Sequence, residues 1–167
     1  AVSETYGTGY FARYTNNYPI VLLTYWFLSV LSKCGVSQSL FMPAVQLVNI
    51  ACISSSIWLG YLLVKELRGR LKAVFYLVVC ALCPLSYVWA GFFYTTTCSI
   101  PCLMGVLYLY LRIPKTAVVW KRSLLGALAG LLLILGYKLR ATTMIAGIAV
   151  GILILMKLSG LAAEKGN

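Results

Sequence analysis

Long apolar runs alternate along this chain with short clusters of polar, mostly basic residues. A helix needs roughly 20 apolar residues to cross a ~30 Å hydrocarbon layer, and five stretches approach that length. Residues 40–64 form a charge-free run whose polar content is Gln46, Asn49 and Ser54 to Ser56. Residues 73–93 form the second, with Pro84 near its middle, where a missing backbone hydrogen bond predicts a kink. Residues 97–111, 123–137 and 141–156 complete the set; they are short for full spans, so the bilayer is locally thin there or their polar ends sit at depth. Before Lys33 the uncharged stretch 18–32 would make a helix on the order of 22 Å long, too short to cross, and Tyr18, Tyr25 and Trp26 favour the interface. It is expected to lie at the membrane surface or dip partway in. The predicted fold class is all-α, a polytopic transmembrane helix bundle of about five spans: residues 1–39 form an outer-face loop with its juxtamembrane helix, and residues 40–167 form the bundle.

Composition agrees. Of 167 residues, 62% are hydrophobic and 10% charged, which leaves more apolar surface than a water-soluble core of this size can bury. The net charge of +11 comes from 14 Lys and Arg against three Glu, with no His and no Asp. From these residues alone there is no Ser-His-Asp or Cys-His site, no Asp-held magnesium and no His-bound zinc. In a soluble domain this charge would suggest nucleic acid. Here the cations sit between apolar runs, where they anchor topology, and no nucleic-acid partner is expected. The chain starts at Ala1 with no cleavable signal pattern before its first polar stretch, so it is expected to be part of a longer chain.

Two basic loops, Lys65 to Lys72 and Arg112 to Arg122, are separated by two spans and therefore share a face, which the positive-inside rule makes cytoplasmic. Lys157 and Lys165 fall on that side too. Residues 33–39, the Tyr94 to Thr96 turn and the tight turn Lys138 to Arg140 then lie outside, with residues 1–17 joining them if residues 18–32 do not cross. Lys138 and Arg140 break the charge rule. They either snorkel to lipid headgroups or hold the phosphate of a lipid-linked substrate.

Other patterns leave alternatives open. Cys80 and Cys83 have C-x-x-C spacing but lie inside an apolar run without His, which favours small packing residues over metal or redox chemistry. Cys98 is nearer the outer surface, where a disulfide is an option. Gly126 with Gly130 and Gly147 with Gly151 are G-x-x-x-G pairs that would let the last two helices approach closely. Tyr6, Tyr10, Phe11, Tyr14, Asn16, Asn17 and Tyr18 crowd the outer segment with Arg13. This is either an aromatic belt or a sugar-binding surface of amides and ring faces.

The order of these elements resembles a known family. Arg13-Tyr14-Thr15-Asn16-Asn17-Tyr18-Pro19, then Leu22 to Trp26 and Lys33-Cys34-Gly35, is similar to the Y-P-N-N segment and following surface helix of bacterial GT-C glycosyltransferases, relatives of protein O-mannosyltransferases and aminoarabinose transferases. The span with Asn49, the Glu66 to Lys72 turn, the helix with Pro84, Tyr94-Thr95-Thr96-Thr97 leading to Pro101, and Gly136 to Thr142 follow in the same order. The resemblance implies an outer-face active site with a polyprenyl-phosphate sugar as donor. It places Tyr14, Asn16, Asn17 and Thr96 at the substrate and Arg140, with Lys138, at the lipid phosphate. Thr96 stands where relatives often carry an acidic residue, and the family's base, a loop Asp, is not in this sequence. Either it lies in a piece preceding Ala1 or the activity is lost.

The expected function is a membrane glycosyltransferase moving a sugar from a polyprenyl-phosphate carrier to a cell-envelope acceptor, in a bacterial plasma membrane. The alternatives are a transporter or flippase of lipid-linked intermediates, or a non-catalytic membrane scaffold. A flippase would use the same cations without a base. No cofactor is expected from these residues, although a divalent metal is compatible with the full-length protein. The expected partners are membrane lipids and the lipid-linked donor.

Overall fold

The computed structural model describes residues 17–165. They form an all-α bundle of seven helices, with no strand among the described residues. The helices are α1 (Tyr18–Lys33), α2 (Phe41–Arg68), α3 (Arg70–Leu82), α4 (Pro84–Ala90), α5 (Thr95–Arg112), α6 (Val119–Leu139) and α7 (Met144–Lys165). Single 3-10 turns at Gln38–Leu40, Ile113–Lys115 and Ala141–Thr143 join or extend them. Gly69, at φ 87°, is the one-residue joint between α2 and α3, a left-handed conformation that glycine adopts without steric cost.

Among the described residues, three helical segments are long and apolar enough to cross a membrane: Gln38–Arg68, Thr95–Lys115 and Val119–Leu139. The last outruns the apolar stretch 123–137 because Lys121 and Arg122 sit inside its first turns. The apolar part of α7, Ala141–Met156, is shorter. Residues 73–93 do not form one kinked helix. The chain breaks at Cys83, whose ψ of 113° is extended, and α4 restarts with Pro84 in its first turn. The residue before a proline is pushed out of the helical region, and proline suits a first turn where its missing N–H costs nothing.

Helix α4 itself ends at Ala90, and the last carbonyls of so short a helix lack a full set of intrahelical partners, which water cannot supply in hydrocarbon. Asn49 of α2 supplies the donors. Its Nδ2 lies 3.0 Å from the Trp89 carbonyl, 3.0 Å from that of Ala90 and 3.1 Å from that of Phe92. The side chain is completely buried. Within the helices, Thr24, Ser55 and Ser56 return their hydroxyls to the carbonyl four residues earlier, at 2.7 to 2.8 Å, so they add no unmet donors.

Helix α5 is the centre of the bundle, packed between α2 and α6, with α3 on the outer side of α2. Its buried residues Thr95, Thr97, Ser99, Cys102, Gly105, Val106 and Leu109 are small or medium in size, which lets the neighbouring helices come close. Helix α6 comes close at Gly136, where a Cβ would stand 2.9 Å from Cys102 Cβ and 2.5 Å from Thr143 Cγ2. The G-x-x-x-G expectation is corrected here. Gly126, Gly130 and Gly151 face open space and only Gly147 meets a neighbour, Leu133, because α6 turns its Gly136 face rather than its Gly126 face toward the core.

At the Glu66 end, α2 and α5 are clasped by ion pairs from Glu66 to Arg112, 3.2 Å, and to Lys115. The opposite end carries Arg140. Between the two ends, large apolar side chains such as Phe75, Leu131 and Ile134 point outward, as expected of helices solvated by lipid.

Two stability predictions follow from this packing. Asn49→Leu should lower unfolding stability in detergent by about 2 kcal/mol, since the α4 carbonyls lose their donors while the volume is kept. Gly136→Val should cost about 1 to 3 kcal/mol by overpacking, whereas Gly126→Val should leave the unfolding midpoint unchanged.

Candidate functional site

The backbone sets the site at the Arg140 end. Helix α6 stops because Arg140 turns extended, with φ −157° and ψ 125°. Its N–H still bonds the Gly136 carbonyl at 2.8 Å, and its own carbonyl accepts the Thr143 N–H at 3.0 Å, which starts the turn into α7. The half-buried Arg140 guanidinium sits 5.9 Å from the centre of the Tyr94 ring. Tyr94 is the last extended residue before α5, so this cation–π contact ties the α6–α7 corner to the α4–α5 corner.

Beside that contact are two hollows. One, of about 320 Å³, is almost wholly apolar and lies between α1, α2, α5 and α6; Leu23, Phe27, Val48 and Leu135 are among its walls. The other, of about 490 Å³, is a more open cleft whose lining includes Asn17, Tyr25, Tyr94 and Thr95. Ile20, Thr24 and Phe93 line both, so the apolar hollow and the polar cleft adjoin across shared side chains. Helix α1 forms one wall of each, which gives the residues expected to make a surface helix a role in shaping the site.

The expected site residues separate in space. Asn17 lines the cleft. Thr96 does not; it faces a third hollow of about 370 Å³ with Ser56, Trp89 and Ile100. One residue along a helix rotates a side chain by about 100°, and so Thr95 takes the cleft position instead. Arg140 borders the cleft through Tyr94. Lys138 is exposed in the last turn of α6 and has no ion pair or hydrogen bond among the described residues. Tyr14 and Asn16 lie outside the described residues.

Three residues were not singled out from sequence as site residues: Tyr94, Thr95 and Asn49. The Thr95 hydroxyl and the Asn49 Oδ1 are both buried without a hydrogen-bond partner among the described residues. The signal that could have found Asn49 is an amide in the middle of an otherwise apolar run, because a buried amide needs partners.

Among the residues whose side chains are described, Glu66 is the one carboxylate, and it lies at the opposite end in its ion pairs. The Arg140 end therefore combines an apolar hollow, hydrogen-bonding and aromatic groups, and positive charge. That chemistry suits an amphipathic anion.

No curated protein and no solved structure matches the chain. The glycosyltransferase resemblance of the short motifs has no counterpart in these comparisons. Residues 2–165 match the family described as conserved hypothetical integral membrane protein. With its lipid-facing apolar helices and this match across nearly all of its length, the chain belongs to that family of integral membrane proteins.

Proposed function

We propose that the Arg140 end binds a polyprenyl-phosphate lipid, and that the protein uses it as the donor in transferring a sugar to a cell-envelope acceptor. The observation that supports this reading is the adjacency of the apolar hollow and the cleft beside Arg140. An isoprenoid chain would enter the hollow along α1 from the bilayer. Its phosphate would meet the Arg140 guanidinium, whose planar fork suits phosphate oxygens, with Lys138 adding a second positive charge. The Asn17 amide and the Tyr94 and Tyr25 rings are groups that bind sugar hydroxyls and apolar ring faces.

Binding and leaving-group stabilisation are what these residues can supply. The cations would steady the departing lipid phosphate as negative charge develops on it. Deprotonating the acceptor hydroxyl needs a base, and the described side chains place no carboxylate at this end. That same observation favours, as a second reading, a facilitative carrier of lipid-linked intermediates, which would use the hollow and the cations without a base. In both readings the positive-inside rule puts the Glu66 end, with Lys65, Arg68, Arg70 and Lys72 beside it, in the cytoplasm and Arg140 outside, in a bacterial plasma membrane.

Binding of a fluorescent polyprenyl phosphate to the protein in nanodiscs tests the site. Arg140→Gln should weaken it roughly tenfold or more, the worth of a charged hydrogen bond. Arg140→Lys should lose less, and the uncharged polyprenol should bind wild type and variant alike. Equal phosphate binding by wild type and the Arg140→Gln, Lys138→Gln double variant, with normal folding, would remove the proposal. The orientation has its own check: a membrane-impermeant amine reagent applied to intact cells should modify Lys138 and spare Lys72 and Lys115 until the membrane is permeabilised.

A further inference from the structure

The apolar hollow has a feature that lipid binding does not require. Cys52 of α2 and Cys98 of α5 both line it, and their sulfurs are 4.0 Å apart across the seam between the two helices. Both side chains are partly buried and neither is in a disulfide. Cys52 sits within one helical turn of Asn49, whose amide bonds to the Trp89, Ala90 and Phe92 carbonyls hold α2 against the chain leading into α5. The other cysteines differ. Cys34 is exposed beyond α1, Cys80 and Cys83 belong to α3 and the break after it, and Cys102 bonds the Cys98 carbonyl at 3.8 Å instead of a second sulfur.

We propose that Cys52 and Cys98 form a dithiol site that oxidises to a disulfide, and that this cross-link reshapes the wall of the hollow and so controls entry of the lipid chain. A disulfide needs the sulfurs about 2.05 Å apart, so roughly 2 Å of closer approach is required, within reach of side-chain rotation and a small shift of α2 against α5. The co-reactant is a disulfide-bearing oxidant. One cysteine thiolate attacks a sulfur of that disulfide and expels one thiolate, leaving a mixed disulfide on the protein. The second cysteine loses its proton and attacks the protein-side sulfur, expelling the other thiolate. One protein S–S bond forms, two electrons reduce the oxidant to two thiols, and the two protons end on those thiols. The cross-link spans two helices whose separation sets the width of the hollow, and it withdraws both thiols from its lining. Control of lipid entry rests on the reading that the hollow takes a lipid chain; the dithiol site itself rests only on the sulfur geometry.

The test uses the full chain in nanodiscs, treated with the membrane-permeant oxidant dithiodipyridine and then analysed by alkylation and peptide mass spectrometry. A Cys52–Cys98 cross-linked peptide is expected in wild type and in Cys80→Ser, and its loss in Cys52→Ser and Cys98→Ala. Wild-type protein in which both cysteines remain alkylatable and no such peptide forms would overturn the dithiol site without relying on any variant. In parallel, binding of the fluorescent polyprenyl phosphate should fall several-fold on oxidation, return with dithiothreitol, and be insensitive to oxidant in Cys52→Ser. A cross-link that forms with binding unchanged would overturn control of the hollow. Failure of the reduced wild type to bind the probe would overturn the lipid reading and the control with it, while the cross-linked peptide would still decide the dithiol site.

Discussion

The site depends on one buried amide. Helix α4 stops at Ala90 before α5 begins at Thr95, and in hydrocarbon each backbone carbonyl left unpaired at such a helix end costs several kcal/mol. Asn49 meets that cost by directing its NH₂ group at the carbonyls of Trp89, Ala90 and Phe92. Two hydrogens serve three acceptors, so at least one bond is shared. The consequence is positional: with α4 held against α2, the chain leaves at Phe92 on a fixed path, and Tyr94 and Thr95 arrive at the cleft with α5 following behind them.

Helix α5 is then restrained at both ends, by means of very different strength. At one end the Glu66 ion pairs with Arg112 and Lys115 are exposed, and pairs of that kind add little to stability. At the other, Asn49 is completely buried, and Gly136 allows backbone-close packing against Cys102 and Thr143. The Arg140 end is therefore the well-determined end of the bundle. A phosphate site of the kind proposed would benefit from that rigidity, because a cation held over Tyr94 has less freedom to lose on binding. Helix α1, which touches α2 and α6 but buries no residue of its own, is the wall with the least holding it.

Much of the fold was legible in the pattern of apolar runs. The blocks 40–64, 97–111 and 123–137 lie within the segment Gln38–Arg68, α5 and α6, because hydrophobic length and helix rise together fix a crossing segment. The break at Cys83 was only half legible. Pro84 announced a disturbance, but the second helix end that follows it, at Ala90, depends on a donor for its last carbonyls, and that donor, Asn49, lies 40 residues from Trp89 in sequence. The G-x-x-x-G pairs misled for a related reason: spacing identifies a smooth helix face without saying whether a neighbour or lipid covers it, and Gly126 and Gly130 face open space. At the site, the anomalous charge of Arg140 was visible as a departure from the charge rule, and it does sit beside the cleft. Thr96 faces a different hollow while Thr95 lines the cleft, a difference that a motif read as a string cannot resolve because neighbours on a helix are about 100° apart.

The account stands on the apolar hollow under α1 being the seat of a lipid chain whose phosphate lies at Arg140. The most direct measurement is photo-crosslinking with a polyprenyl phosphate that carries a diazirine in its chain, followed by mapping of the labelled peptides. The account predicts label concentrated on Ile20, Phe27, Val48 and Leu135, displaced by unlabelled polyprenyl phosphate. Label spread over the outward faces of α3 and α6, at residues such as Phe75 and Leu131, with no displacement, would contradict it.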